Sequence, residues 1–310
     1  MLRRVSAIAL NTYRESVRAR ILLGLAAVAF LFAFYSIVVG AFTLTNAPRV
    51  VSDLGAASIS IFSIAVAIII GVTSLYRELE QKTIFPILAR PIARGEYLLG
   101  KYFGTLLTLA VFILANSGLF LLISALLGGR SPPLVLSVGI GLCAVFGVIS
   151  LRSTSARTFG PIPWAIAFCA AGALLCDNAP DERRVILGAS LLALFEVGIV
   201  AAMATLFSSF STPFLSAVFT LGLFLVGRNA DALARFPVKY FGQPIHDAGV
   251  FLSKVMPNLQ IYVPPRPLLT GEAIGDGLPA YLGMAGLASG AWALGLLALA
   301  SFVFKQRDFL

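Results

Sequence analysis

The chain has 310 residues, of which 59% are hydrophobic and 12% charged, with a net charge of +9. A soluble domain runs at about 45–50% apolar and about 25% charged, because a core needs a polar shell, so this composition excludes a water-soluble fold and requires a bilayer. The basic residues sit in short segments between apolar runs, which excludes a nucleic-acid surface in favour of membrane topology.

Residues 2–19 read as a separate amphipathic helix. At 100° per residue, Leu2, Val5, Ile8, Ala9, Leu10, Tyr13 and Val17 share one arc, and Arg3, Arg4, Arg14, Glu15 and Arg18 share the other. Such a helix lies in the headgroup layer with its arginines toward anionic lipid. The first long apolar run starts only near Ile21 and is expected to be an uncleaved anchor rather than a signal peptide.

Eight apolar segments follow, at about 21–44, 54–76, 102–129, 133–151, 160–176, 185–207, 213–227 and 280–304. A hydrocarbon core about 30 Å thick needs roughly 20 apolar residues of helix, so the fifth and seventh are short. If all eight cross and the N-terminus is cytoplasmic, the inside segments carry fourteen Lys/Arg against five Asp/Glu, and the outside loops nine against eight. The positive-inside rule expects that asymmetry. Both termini are then cytoplasmic.

Two polar segments stand out by length. The cytoplasmic stretch 77–101 carries its own apolar residues, Ile84, Phe85, Ile87 and Leu88. The outside loop 228–279 holds seven prolines, which exclude one long helix and predict short helices separated by turns.

The remaining motifs carry little chemistry. Gly95 to Lys101 spaces its glycine and lysine like a phosphate-binding loop, but Tyr102 stands where Ser or Thr should hold magnesium, and no strand precedes it. Gly139–Ala144 matches a dinucleotide fingerprint on paper yet lies within an apolar span. Gly286-x-x-x-Gly290 in the last span predicts a tightly packed helix face. The three cysteines, Cys143, Cys169 and Cys176, form no C-x-x-C pair, and His246 in the outside loop lacks convergent ligands, so no metal site is expected. Glu196 is the acidic residue deep in an apolar segment. A charge there costs about 2.5–3.5 kcal/mol on insertion scales and faces a partner in the bundle, as a structural anchor or beside a transport path.

The segment after the second span resembles the permease subunits of type-2 ATP-binding-cassette (ABC) exporters, including those associated with multicopper-enzyme maturation. Glu78, Glu80, Thr83, Leu88, Pro91, Arg94, Leu98, Gly100 and Lys101 carry that resemblance. Asn11–Arg20 is similar to the family's interfacial elbow helix, Leu206–Ser211 to the turn after its fourth span, Met256-Pro-Asn258 to its last external loop, and Phe304–Asp308 to its tail. The resemblance implies an all-α polytopic fold: an elbow helix over 1–20, then one transmembrane domain over 21–310. That domain combines a six-helix core with an extra transmembrane hairpin at 133–176, which the family pattern does not cover. It further implies a multi-pass permease of the bacterial-type cytoplasmic membrane, paired with a second permease subunit, identical or related. ATP and magnesium would be bound by a separate ATPase subunit and no cofactor by this chain. Glu78, Glu80, Thr83, Ile84, Phe85, Leu88, Pro91 and Arg94 would form the contact that couples the ATPase to the spans. Two other readings stay open: a membrane-embedded enzyme using Glu196 and His246, and an ABC-like scaffold that moves no substrate.

Overall fold

Prolines and apolar length set the element boundaries. The structure is a computed structural model, which describes residues 2–43, 46–80, 93–235, 242–272 and 277–306. Helix α1 spans Leu2–Arg18, α2 Arg20–Phe42, α3 Ala47–Glu80 and α4 Arg94–Leu127. Then come α5 (Pro132–Arg152), α6 (Thr154–Phe159), α7 (Pro161–Leu175), α8 (Pro180–Ser208) and α9 (Pro213–Arg228). The segment after Arg228 is built from short pieces: α10 (Ala230–Ala234), α11 (Gln243–Val255), a 3₁₀ turn at Leu259–Tyr262 and α12 (Arg266–Thr270), before α13 (Gly277–Gln306). Proline occupies one of the first two positions of α5, α7, α8, α9, α11 and α12. Its fixed φ suits a helix start, and its missing N–H is an orphan there anyway.

Among the described residues, seven helices are long and apolar enough to cross a bilayer: α2, α3, α4, α5, α7 with its 3₁₀ extension to Asn178, α8 and α13. The chain is therefore an all-helical, multi-pass membrane protein. The remaining segment of the expected eight, short already in the sequence, is helix α9 with 16 residues, a rise of about 24 Å that by itself falls short of the hydrocarbon thickness.

Helix α8 is the centre of the bundle, packed by α3, α4, α9 and α13. In its apolar stretch 72% of residues are buried, against 6% in α5. Small residues explain the first figure: Ala201, Ala202 and Ala204 are fully buried and let neighbouring backbones approach. The second marks a surface for lipid, since α5 exposes Leu136, Ile140, Val145 and Leu151, which water would not tolerate as one patch. The hairpin α5–α7 grips the bundle through α7. A Cβ on Gly118 of α4 would stand 3.0 Å from the Cys169 backbone nitrogen, and one on Gly172 of α7 would stand 2.9 Å from the Gly118 carbonyl oxygen.

At one end of the bundle α1 lies across α4. A Cβ on Gly100 would meet Ile8 at 2.6 Å, and one on Gly104 would meet the Ala9 carbonyl oxygen at 2.5 Å. The residues that α1 buries are Thr12, Tyr13 and Ser16, whereas Leu10, expected on the apolar face, is 44% exposed. The crossing is close because α4 offers glycines to Ile8 and Thr12, and Ser16 stays satisfied by donating to the Thr12 carbonyl at 2.9 Å; Leu10 lies off that contact. Tyr13 also stacks on Phe159 of α6 at 6.2 Å, tying the hairpin's turn to α1.

Two cations fasten the same end. Lys101 donates to the Ser74 carbonyl at 2.7 Å and its hydroxyl at 2.9 Å, joining α4 to α3. Arg94 donates to the Phe304 and Lys305 carbonyls at 3.0 and 2.9 Å, satisfying orphan acceptors at the end of α13. Tyr97, Leu98, Ala300 and Phe304 form a small buried cluster beside it. Gly104→Leu is expected to lift α1 off α4. Hydrogen exchange of residues 5–16 should then accelerate at least about tenfold, with the amides of α8 unchanged.

Candidate functional site

The shortness of α9 puts a charge where no charge is expected. Its last residue, Arg228, ends a helix that rises only about 24 Å from the α1 end of the bundle, so the guanidinium lies within the hydrocarbon layer. Glu196 lies at a matching depth on α8, fully buried. The two meet: Arg228 donates to Glu196 Oε1, and the Ser60 hydroxyl of α3 donates to Oε2 at 3.1 Å. Arg228 also lies 6.0 Å from the Phe224 ring centroid, one turn earlier on α9, where the ring's negative face favours a cation. Each charge alone would be costly in a low dielectric, and together they join α3, α8 and α9 at one level.

Above this pair a cavity of about 390 Å³ opens toward the end opposite α1. Its floor includes Ser60, Ile61 and Arg228, and its mouth includes Arg49, Asp53 and Arg266. Arg266 of α12 is the hub of the mouth: it donates to Asp53, to the Ser52 hydroxyl at 3.0 Å and to Glu182 at 3.3 Å, joining α3, α8 and α12. Tyr262 lines the wall and donates to the Ala285 carbonyl of α13 at 3.2 Å. Tyr262 and Leu259 of the same turn belong to an apolar cluster that runs along α8 through Val185, Leu192, Ile199 and Met203. Asn258 of the Met-Pro-Asn motif starts that turn: its carbonyl oxygen accepts from the Gln260 N–H and its amide donates to Asp231, both at 2.9 Å.

A second cavity of about 340 Å³ shares Ile61 and runs on between α3 and α9, lined by Ile64, Ile68, Ile69, Leu221 and Phe224. The two share Ile61 and lie in series along α3. Arg49, Asp53, Ala57, Ile61, Ala65 and Ile69 recur at every fourth residue, a stripe that winds about 200° round the helix over a rise of about 30 Å, the thickness of the hydrocarbon layer. The upper part of this stripe is charged and the lower part apolar.

The other expected site residues fall elsewhere. Glu78 and Glu80 lie in the last turn of α3. Thr83, Ile84, Phe85, Leu88 and Pro91 lie outside the described residues. Arg94 is held by the end of α13, as described. Gly286 faces α8, where a Cβ would stand 3.1 Å from the Phe195 ring, while a Cβ on Gly290 meets nothing within 4 Å. His246 lies on α11 and is not among the residues lining the cavity beside Glu196. Among the described residues no three His, Cys, Asp or Glu side chains cluster as metal ligands.

Sequence reasoning missed Arg228, assigning it to an outside loop, and missed Ser60 and Arg266. The signal for Arg228 was present: an apolar segment too short to cross must leave its terminal charge inside, and Glu196 in the preceding span lacks a counter-charge. Nothing in the local sequence marks Ser60 or Arg266, which tertiary packing alone brings in. No protein-family model matches the chain, and no curated protein matches it.

Neutralising one member strands the other. Glu196→Gln and Arg228→Gln are each expected to destabilise the fold by about 3–5 kcal/mol. The double variant should recover most of that loss, read from equilibrium unfolding in mixed micelles.

Proposed function

We propose that this chain is the permease subunit of an ATP-driven exporter of the type-2 ABC class, with the ATPase on a separate chain. One observation carries the reading. Helix α3 ends at Glu80, directly before the segment that resembles the family's coupling element, and the same helix supplies residues that line both cavities. A force on the coupling segment therefore acts on the wall of the candidate path. Lys101 holds the end of α3 to α4, and Arg94 holds α4 to α13. Both fastenings are residues of the resembling motif, so the motif's cations act inside the subunit and leave Glu78, Glu80 and the 81–92 segment for the partner.

In this reading the α1 end is cytoplasmic and α1 is the elbow helix at the headgroup layer. The protein sits in a bacterial-type inner membrane. A second permease subunit, identical or related, completes the assembly. ATP-driven closure of two ATPase subunits beneath them shifts α3 against α8 and α9. The Glu196–Arg228 pair, joined to α3 through Ser60, lies at the junction of the two cavities, where such a shift changes their continuity.

The test is association. The full chain should co-purify with a P-loop ATPase, and Glu80→Arg should weaken retention about tenfold or more, because reversing a rim charge sets like charges together. Retention of the ATPase at the wild-type level by that variant would remove the coupling role.

A further inference from the structure

The two cavities differ in chemistry, and the difference describes an occupant. The charged residues lining the upper one are three arginines, Arg49, Arg228 and Arg266, and one acid, Asp53. The other counter-charges stand behind the wall. Glu196 has no exposed surface, and Glu182, though 3.3 Å from Arg266, is not among the lining residues. The surface met by an entering molecule is thus cationic, although the protein around it is close to neutral. Arg49 adds to this without serving the helix. It lies in the first turn of α3, where a cation opposes the helix dipole. It makes no side-chain hydrogen bond or ion pair to another described residue. The lower cavity continues from Ile61 as an apolar slot lined by Ile64, Ile68, Leu221 and Phe224.

We infer that the paired cavities bind an anionic amphiphile, its acidic head in the upper cavity lined by Arg49, Arg228 and Arg266 and its alkyl chain along the Ile61–Ile69 stretch of α3. Guanidinium groups match phosphate and carboxylate in geometry as well as charge. An alkyl chain fills a slot that water would occupy without partners. The rise of α3 from Ile61 to Ile69 is about 12 Å, which takes a chain of medium length. The inference rests on reading the two cavities as one path, and binding itself needs no ATPase.

The experiment uses the full chain in phosphatidylcholine nanodiscs, with protein-free discs subtracted. Dodecyl phosphate is titrated beside inorganic phosphate, which has the head alone, and dodecyltrimethylammonium, which has the tail with a cation. The expected result is saturable binding of dodecyl phosphate at least about tenfold tighter than either comparator. Arg49→Gln, at an exposed position, should weaken it about tenfold. Ile61→Trp, at the junction, should remove the advantage of dodecyl over butyl phosphate. Equal binding of the cationic amphiphile, or an unchanged affinity in Arg49→Gln, overturns the inference. A loss of chain-length dependence in the wild type does the same. If an ATPase co-purifies and no amphiphile binds, the exporter reading stands and this one falls; binding without any ATPase partner gives the reverse.

Discussion

An ion pair in hydrocarbon is the constraint around which this molecule is arranged. Glu196 is fully buried and cannot be solvated at its depth, so it must face Arg228, whose own exposure is to the cavity it lines. Helix α9 is short enough to bring Arg228 to the level of Glu196, with Phe224 beneath the guanidinium and Ser60 supplying a further hydrogen bond. The chain beyond Arg228 fills the remaining depth with α10, the 3₁₀ turn and α12, and buries that turn against α8. The polar backbone of that segment is tolerated because it is covered by protein and lines a cavity.

Helix α3 connects the two ends of the bundle. At the α1 end it is held by Lys101, at the pair by Ser60, and at the opposite end by Arg266 through Ser52 and Asp53. These attachments fall on a helix of 34 residues, long enough to carry a displacement across the whole bilayer. Residues of α3 between them line both cavities. A rigid element with discrete polar attachments is suited to switch between arrangements rather than to deform continuously.

The hairpin α5–α7 lies outside this arrangement. It seats on α4 through Gly118 and Gly172, turns its face to lipid along α5, and meets α1 through the Tyr13–Phe159 stack. None of its residues lines the cavities along α3. The hairpin thus stands apart from the cavities while bracing α1 from a second side.

Composition and hydropathy by themselves determined the membrane class, the helical content and nearly every span, because a bilayer demands long apolar helices and nothing else in the sequence competes with that demand. Charge in the loops gave an expected orientation, and Glu196 was legible as a residue needing a partner. What only the tertiary structure decided were the contacts between segments remote in sequence. Arg228 meets Glu196 across 32 positions and Arg266 meets Asp53 across 213, and neither meeting has a local signature. The face that α1 buries was also decided by packing, since Ile8 crosses over Gly100 and Thr12 over Gly104, while Leu10 is left exposed. Periodicity reports the average environment of a helix, whereas a close crossing or a buried charge depends on the single partner that arrives there.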